Sequence, residues 1–387
     1  MNAAEPALME VNEKQQGAVP RVHQGVLRVL IAAGGTGGHI FPALAVAEAI
    51  ARRRPTSEFQ FLGTARGLES RLIERAGFPY RAIRSAGLKG IRGWRRVTNA
   101  AVLPRTFLES LGALRAFRPD VVIGMGGYVA GPVLLEAALL RIPTVLIEPN
   151  ASPGFTNRVL SGIVSRAAVG FEETAKYFGA KARLTGLPVR RAFFEIPPRE
   201  HRAPFTILVF GGSQGSAALN RCLIESLPTM AGRPWHIIHQ TGDRDLSSVT
   251  DAYQRAAIRG EVRAFIDNMP SVFAGADLII CRAGASTIGE LMAGGKAAVL
   301  VPFPGATDQH QLENARALER AGAARVIEQA DLSPARLMAE ISDLLASPQR
   351  LLAMESAARR LANPQAAAEI AALVEELAVS QRGLQKL

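Results

Sequence analysis

Two α/β domains, each a parallel sheet wrapped by helices and facing the other across a cleft, are predicted by three observations. A buried strand running into a glycine turn and then a helix occurs twice, at residues 27–54 and 205–227. Strand and helix patterns alternate after each of these units, which closes parallel sheets through right-handed crossovers. The length of 387 residues exceeds one ordinary core and suits two domains of roughly 150–200 residues.

Taken in order, residues 1–26 are polar, lack a sustained apolar run and read as a disordered extension rather than a signal peptide. Strands of a first domain, 27–186, are expected near 27–33, 58–63, 120–124 and 144–148. The stretch Pro188 to Pro204 carries four prolines and reads as the linker. Strands of a second domain, 187–363, are expected near 205–210, 235–239, 262–265, 277–281 and 297–301. A final helical pattern, about 364–381, can pack on either domain. Cys222 and Cys281 make no disulfide framework and fit a reducing compartment. No stretch reaches the ~18–20 apolar residues of a membrane span.

The run Gly34-Gly35-Thr36-Gly37-Gly38-His39-Ile40-Phe41-Pro42 has the form of a phosphate cradle, in which glycines allow close approach and helix N–H groups face an anion. It lacks the marks of common nucleotide loops. Ile40 stands where a dinucleotide fingerprint starting at Gly35 needs glycine or alanine, and no P-loop lysine follows. A histidine at such a mouth points to chemistry beside a phosphate. Downstream, a strand ends at Cys281 and a helix begins near Ala285, so the N–H groups of Ala285, Ser286 and Thr287 face an anion. Glu290, a turn further on, suits a ribose diol; it also suits a capping box with Ser286 or Thr287. In Val301 to Asn314, Asp308, Gln309 and Gln311 offer hydroxyl-binding groups, and Asp308 also reads as a cap for a helix over Gln309 to Arg320.

The formal net charge is +11, and it is concentrated. Between Arg81 and Arg118 nine basic residues face one acid, Glu109, with Leu88, Ile91 and Trp94 among them. Such a segment suits an anionic membrane surface through Leu88, Ile91, Trp94, Arg95 and Arg96; it equally suits a solvated loop and an inward-packed amphipathic helix. No nucleic-acid motif accompanies the charge, so nucleic acid is not an expected partner.

Six motifs occur together and in order: Gly34 to His39 with Phe41-Pro42, Gly124-Met125-Gly126-Gly127-Tyr128, Glu148-Pro149-Asn150, Gly211-Gly212-Ser213-Gln214-Gly215, Phe265 to Met269, and Cys281 to Glu290. Together they resemble the bacterial UDP-N-acetylglucosamine (UDP-GlcNAc) transferases of peptidoglycan synthesis, which turn lipid I into lipid II, over about residues 27–375. The resemblance implies a GT-B glycosyltransferase fold of two Rossmann-like domains, with the last helix returning to the first domain. It implies an inverting enzyme without a cofactor, on the cytoplasmic face of the inner membrane, with UDP-GlcNAc, lipid I, the anionic membrane surface and other cell-wall and division proteins as partners.

Carried over motif by motif, the resemblance puts Thr36, Gly37, Gly38, Asn150, Arg190, Ser213, Ile266, Ala285, Ser286, Thr287, Glu290 and Gln311 on the donor. Ile266 would meet the uracil edge through its backbone, Glu290 the ribose, Ser213 and Arg190 the diphosphate, and Gln311 the GlcNAc hydroxyls. Gly35, His39, Gly126, Gly127 and Tyr128 would take the acceptor. His39 or Glu148 would serve as general base. The leaving charge would fall on the helix start and Arg190, without a required metal. Two departures touch this set. Ile147-Glu148-Pro149-Asn150 stands where the family often has His-Glu-Gln-Asn, and Gly186-Leu187-Pro188-Val189-Arg190 where it often has Gly-Asn-Pro-Val-Arg. The rivals are a transferase for another acceptor, a sugar-nucleotide epimerase of the same build, and a non-catalytic UDP-sugar sensor or scaffold. An NAD-dependent oxidoreductase is disfavoured by Ile40 and Gly63.

Overall fold

The computed structural model describes residues 25–34, 37–64, 69–85, 94–306 and 309–384. The first sheet holds β1 (Arg28–Ala32), β2 (Glu58–Thr64), β3 (Tyr80–Ile83), β4 (Val121–Gly124), β5 (Thr144–Glu148), β6 (Arg166–Val169) and β7 (Ala182–Leu184). The second holds β8 (Phe205–Phe210), β9 (Trp235–Gln240), β10 (Gly260–Arg263), β11 (Leu278–Cys281), β12 (Ala298–Leu300) and β13 (Ala324–Val326). Their orders are 3-2-1-4-5-6-7 and 10-9-8-11-12-13, and all pairings are parallel. Both orders reverse beside their first strand, at β1/β4 and β8/β11. In open α/β sheets that switch point is where ligands bind.

The strongest strands are continuous apolar runs buried on both faces. Val29 to Ala32 and Leu278 to Cys281 are all fully buried. The sequence reading omits β3, β6, β7 and β13. Each is three or four residues long, and β3, β7 and β13 are edge strands with two or three partly or fully exposed residues, so they carry little apolar signal. The strand expected near 262–265 lies at 260–263.

The last helix, Ala366–Leu384, lies on the helix Gly37–Arg53. Ile370, Ala371, Val374 and Ala378 join Ile40, Val46 and Ile50 in one core. Arg53 adds a two-pronged bond to Glu375, at 3.0 and 3.1 Å. Among the described residues no helix is long and apolar enough to cross a membrane. Residues 1–24, Leu88 and Ile91 lie outside the described residues, and of Trp94, Arg95 and Arg96 only the helical backbone of Trp94–Phe117 is described.

At the opposite end of the second sheet from the cleft, a buried charge cluster ties the linker down. His201 lies with Nδ1 2.9 Å from Asp277 Oδ1 and Nε2 3.3 Å from Glu355 Oε2, its side chain wholly buried. Asp277 also accepts from Arg199 Nε at 2.9 Å and the Thr206 N–H at 2.7 Å. Burial alone would lower the His201 pKa, but the bonds and charges of Asp277 and Glu355 outweigh it and push it up to about 9. A folded-state pKa above the unfolded one gives stability that is full below about 6.5 and is lost as pH rises through about 9. Wild-type protein is therefore expected to lose roughly 2 kcal/mol between pH 6.5 and 9.5 in denaturant melts, and His201→Gln to lose much less across that interval. Equal slopes for both proteins would refute the assignment.

Candidate active site

The helices Gly37–Arg53 and Ala285–Gly294 follow β1 and β11, the two switch-point strands, and their N-termini meet across the cleft. Ser286 Oγ donates to the Gly38 carbonyl at 2.9 Å. Two helix starts face to face place two partial positive charges together, an arrangement that an anion between them relieves. The helix cap is Gly284, with no side-chain cap bond, so the capping-box reading of Ser286, Thr287 and Glu290 does not describe this turn. Ser286 bridges the domains and Glu290 turns to Arg190.

Beside this junction lies a cavity of about 1010 Å³, reached by Gly38, Phe41, Arg190, Ser213, Ile266, Ser286, Thr287, Glu290 and Gln311. Arg190 Nη2 donates to Glu290 Oε1 at 2.7 Å. Its guanidinium stacks between the Phe41 ring at 4.2 Å and the Phe193 ring at 4.9 Å, and its buried Nε has no hydrogen-bond partner. Burial raises the pKa of Glu290, and Arg190 only partly offsets it. Sequence reasoning assigns these two side chains to separate parts of a nucleotide; in the structure they hold each other. Gln311 Oε1 accepts from the Phe303 N–H at 2.9 Å, which leaves its amide NH₂ to recognise hydroxyls. Ser213 sits in the turn after β8. There Gly215, at φ +72°, packs so closely that a Cβ would stand 1.8 Å from the Thr241 carbonyl.

On the first-domain side, His39 Nδ1 lies 3.0 Å from the Gly34 carbonyl. A carbonyl only accepts, so the imidazole proton is assigned to Nδ1 and the lone pair to Nε2. Burial lowers the His39 pKa, against smaller upward pulls from Gly34 and Glu69, which favours the neutral ring. Gly127 lies against it: a Cβ there would be 3.5 Å from His39 Cε1. Gly126 and Gly127 carry φ of +84° and +75°, which glycine adopts without strain, and the helix Gly127–Leu139 starts there. Tyr128 is partly exposed, and its carbonyl accepts from Ser85 Oγ at 2.9 Å. Gly35 and Thr36 lie outside the described residues.

Glu148, at the end of β5, is fully buried with both oxygens engaged. Oε1 accepts from the Asn150 N–H at 3.0 Å and Asn150 Nδ2 at 2.8 Å. Oε2 accepts from the Gly154 N–H at 2.9 Å and Asn157 Nδ2 at 2.8 Å. Burial raises its pKa and these four donors pull it back. The shell suits an ionised acceptor that shapes loop 149–157. Glu148→Gln puts an NH₂ against those donors and is expected to cost roughly 1–3 kcal/mol in thermal melts; an unchanged melt would show the shell to be dispensable.

Asn150 joins the domains. Its Oδ1 accepts from Asn314 Nδ2 at 3.1 Å, while the Ala151 N–H donates to Asn314 Oδ1 at 2.9 Å. Asn314 is fully buried and is not singled out from sequence, although it closes the quoted 301–314 run. Phe41 and Gln240 are likewise missed as cleft residues. Gln240 carries the one available signal, a polar side chain at the carboxyl end of a strand next to the switch point. Residues 307–308 lie outside the described residues; the helix there starts at His310, with Gln309 at φ +55°.

Family models agree with the two sheets. Residues 29–169 match the glycosyltransferase family 28 N-terminal domain and residues 206–373 its C-terminal domain. A UDP-N-acetylglucosamine–N-acetylmuramyl-(pentapeptide) pyrophosphoryl-undecaprenol N-acetylglucosamine transferase from Anaeromyxobacter dehalogenans (strain 2CP-C) is 47% identical over 91% of this chain and 93% of its own. Among solved structures, Acinetobacter baumannii MurG superposes with a TM-score of 0.71 at 34% identity, over 90% of this chain and 99% of that one. A putative UDP-N-acetylglucosamine 2-epimerase from Listeria monocytogenes has a TM-score of 0.67 at 14% identity, over 90% and 96%, and shares the fold alone. With both GT-B-type domains, the cleft between them and nearly half its residues shared with such a transferase over nine-tenths of its length, this chain belongs to glycosyltransferase family 28.

Proposed function

We propose that this chain moves GlcNAc from UDP-GlcNAc to the 4-hydroxyl of the muramoyl sugar of lipid I, inverting the donor anomer and giving lipid II for peptidoglycan. The observation that carries the reading is the cleft of a family 28 transferase in which a helix N-terminus, an Arg190–Glu290 pair and the free amide of Gln311 surround one cavity. Donor ribose displaces Arg190 from Glu290, and the guanidinium, still stacked on Phe41 and Phe193, turns to the diphosphate. Ser213 and the helix start at 285–287 take the remaining phosphate charge, and Gln311 takes GlcNAc hydroxyls. His39 Nε2 accepts the proton as the acceptor O4 bonds to C1 and the C1–O bond to UDP breaks; UDP leaves with that electron pair. No metal is required by this balance. Glu148 and Asn150 hold the loop and the domain junction rather than the reacting atoms. Gly126, Gly127 and Tyr128, beside His39, receive the acceptor.

The acceptor diphosphate sits at a bilayer, and the first domain carries a surface suited to one. On the packed helices Gly127–Leu139 and Phe155–Leu160, Leu139, Phe155 and Val159 are 75%, 56% and 62% exposed. Arg141 and Arg158 are exposed among them. Apolar side chains flanked by cations favour an anionic membrane face. Phe155→Asp with Val159→Asp is expected to cut co-sedimentation with anionic vesicles about tenfold while sparing transfer to a short-chain, water-soluble acceptor; unchanged co-sedimentation would refute the surface.

Labelled UDP-GlcNAc supplied with lipid I, with a diacylglycerol and with no acceptor tests the function. Label is expected in a β-1,4-linked lipid II only. Label in another acceptor, or conversion to a 2-epimer without acceptor, would overturn it.

A further inference from the structure

β9 lies between β8 and β10, and its register pairs Gln240 with Phe210 on one side and Arg263 on the other. Each partner is the last residue of its strand. After Phe210 comes the glycine turn 211–215, and after Arg263 the loop that carries Ile266. Gln240 therefore stands at a strand end adjacent to two of the loops that line the donor cavity. Its side chain is 1% exposed and joins them. Oε1 accepts from the Ile266 N–H at 3.1 Å, and Nε2 donates to the Gly212 carbonyl at 2.8 Å.

The carboxamide orientation is forced, because a backbone N–H only donates and a carbonyl only accepts. A carboxylate offers no donor, a methionine offers neither group, and a lysine offers no acceptor. The base of the side chain is also held. His239 Nε2 lies 3.0 Å from Asn220 Oδ1, whose Nδ2 donates to the Thr241 carbonyl at 3.0 Å and to Asp245 Oδ2 at 2.8 Å. The residues before and after Gln240 are thus fixed by a buried polar network, which leaves the carboxamide little freedom.

We infer that Gln240 is a positioning residue of the donor site, a strut that sets the distance between the base-binding loop at Ile266 and the phosphate-binding turn at Gly212. The inference rests on the proposed donor site. A nucleoside diphosphate touches both loops at once, so a strut between them acts on nucleotide affinity. It does not act on the proton transfer at His39, which belongs to the other domain.

The test uses the full chain, with UDP binding by calorimetry and transfer kinetics in parallel. Gln240→Met leaves both backbone groups unpaired and is expected to weaken UDP binding, and to raise KM for UDP-GlcNAc, about tenfold, with kcat within about threefold of wild type. Gln240→Glu supplies a signature that a general packing role would not. As a carboxylate it repels the Gly212 carbonyl; once protonated it accepts from Ile266 and donates to Gly212 as the amide does. Its pKa is raised by burial, so the ratio of its UDP dissociation constant to that of wild type is expected to fall from about thirtyfold at pH 8.5 to about threefold at pH 6. If Gln240→Met does not fold, this ratio alone decides. Binding by Gln240→Met within twofold of wild type, a kcat loss at unchanged KM, or a ratio flat with pH would each overturn the inference. Where wild type binds UDP normally, such a result overturns the strut alone; a wild type that does not bind UDP overturns the donor site and the strut together.

Discussion

Replacing His39 by alanine is expected to lower kcat by about 10²–10⁴-fold while KM for UDP-GlcNAc stays within about threefold. The Gly34 carbonyl holds the proton on Nδ1, so Nε2 is the lone pair available to an attacking hydroxyl. Burial keeps the ring neutral further into the acid range than a free histidine. The sign of the pH effect follows. Turnover is full while the ring is neutral and is lost as pH falls through its lowered pKa, so the acid limb of kcat lies below the ordinary value of about 6.5. His39→Gln keeps a donor to Gly34 but has no basic lone pair, and is expected to lose nearly as much rate as alanine. A kcat for either variant near that of wild type would remove His39 from the chemistry. Glu148→Gln provides the contrast, since its loss is expected in the melt before it appears in the acid limb.

The second large effect belongs to Glu290. Glu290→Ala is expected to raise the dissociation constant for UDP-GlcNAc about 10²-fold, because two charge-assisted bonds to a ribose diol are worth roughly 3 kcal/mol together. The cost of separating Arg190 from Glu290 is already contained in wild-type affinity, so the variant recovers part of it. Calorimetry with UDP-GlcNAc and with a 2′,3′-dideoxy analogue measures the effect. Wild type is expected to discriminate between the two ligands, and Glu290→Ala to bind both alike. Undiminished discrimination in the variant would place the ribose elsewhere.

The fold is legible because its long strands are apolar on both faces. Val29 to Ala32, Ile207 to Phe210 and Leu278 to Cys281 have few readings other than buried parallel strands. The strands left unread are short, and three of them, Tyr80–Ile83, Ala182–Leu184 and Ala324–Val326, are edges; the internal Arg166–Val169 has only four residues, and pairing with neighbours on both sides makes it a strand. In the site, glycine turns and helix starts are visible because their backbone needs are local. The partnerships are not. Nothing in the spacing of Arg190 and Glu290 says that they bond across 100 residues. Nor does Glu148 announce in sequence that four donors surround it. Gln240 shows in sequence only as a polar residue at a strand end; its partners follow from the register of β9 between two loops.

The most direct measurement is a crystal structure with intact UDP-GlcNAc bound. The account predicts the diphosphate at the start of the helix Ala285–Gly294 and the turn at Ser213, the ribose hydroxyls on Glu290, Arg190 moved from Glu290 to phosphate, and the sugar C1 facing His39. A nucleotide seated instead on the Gly34–Gly38 loop, with Arg190 and Glu290 still paired, would contradict it.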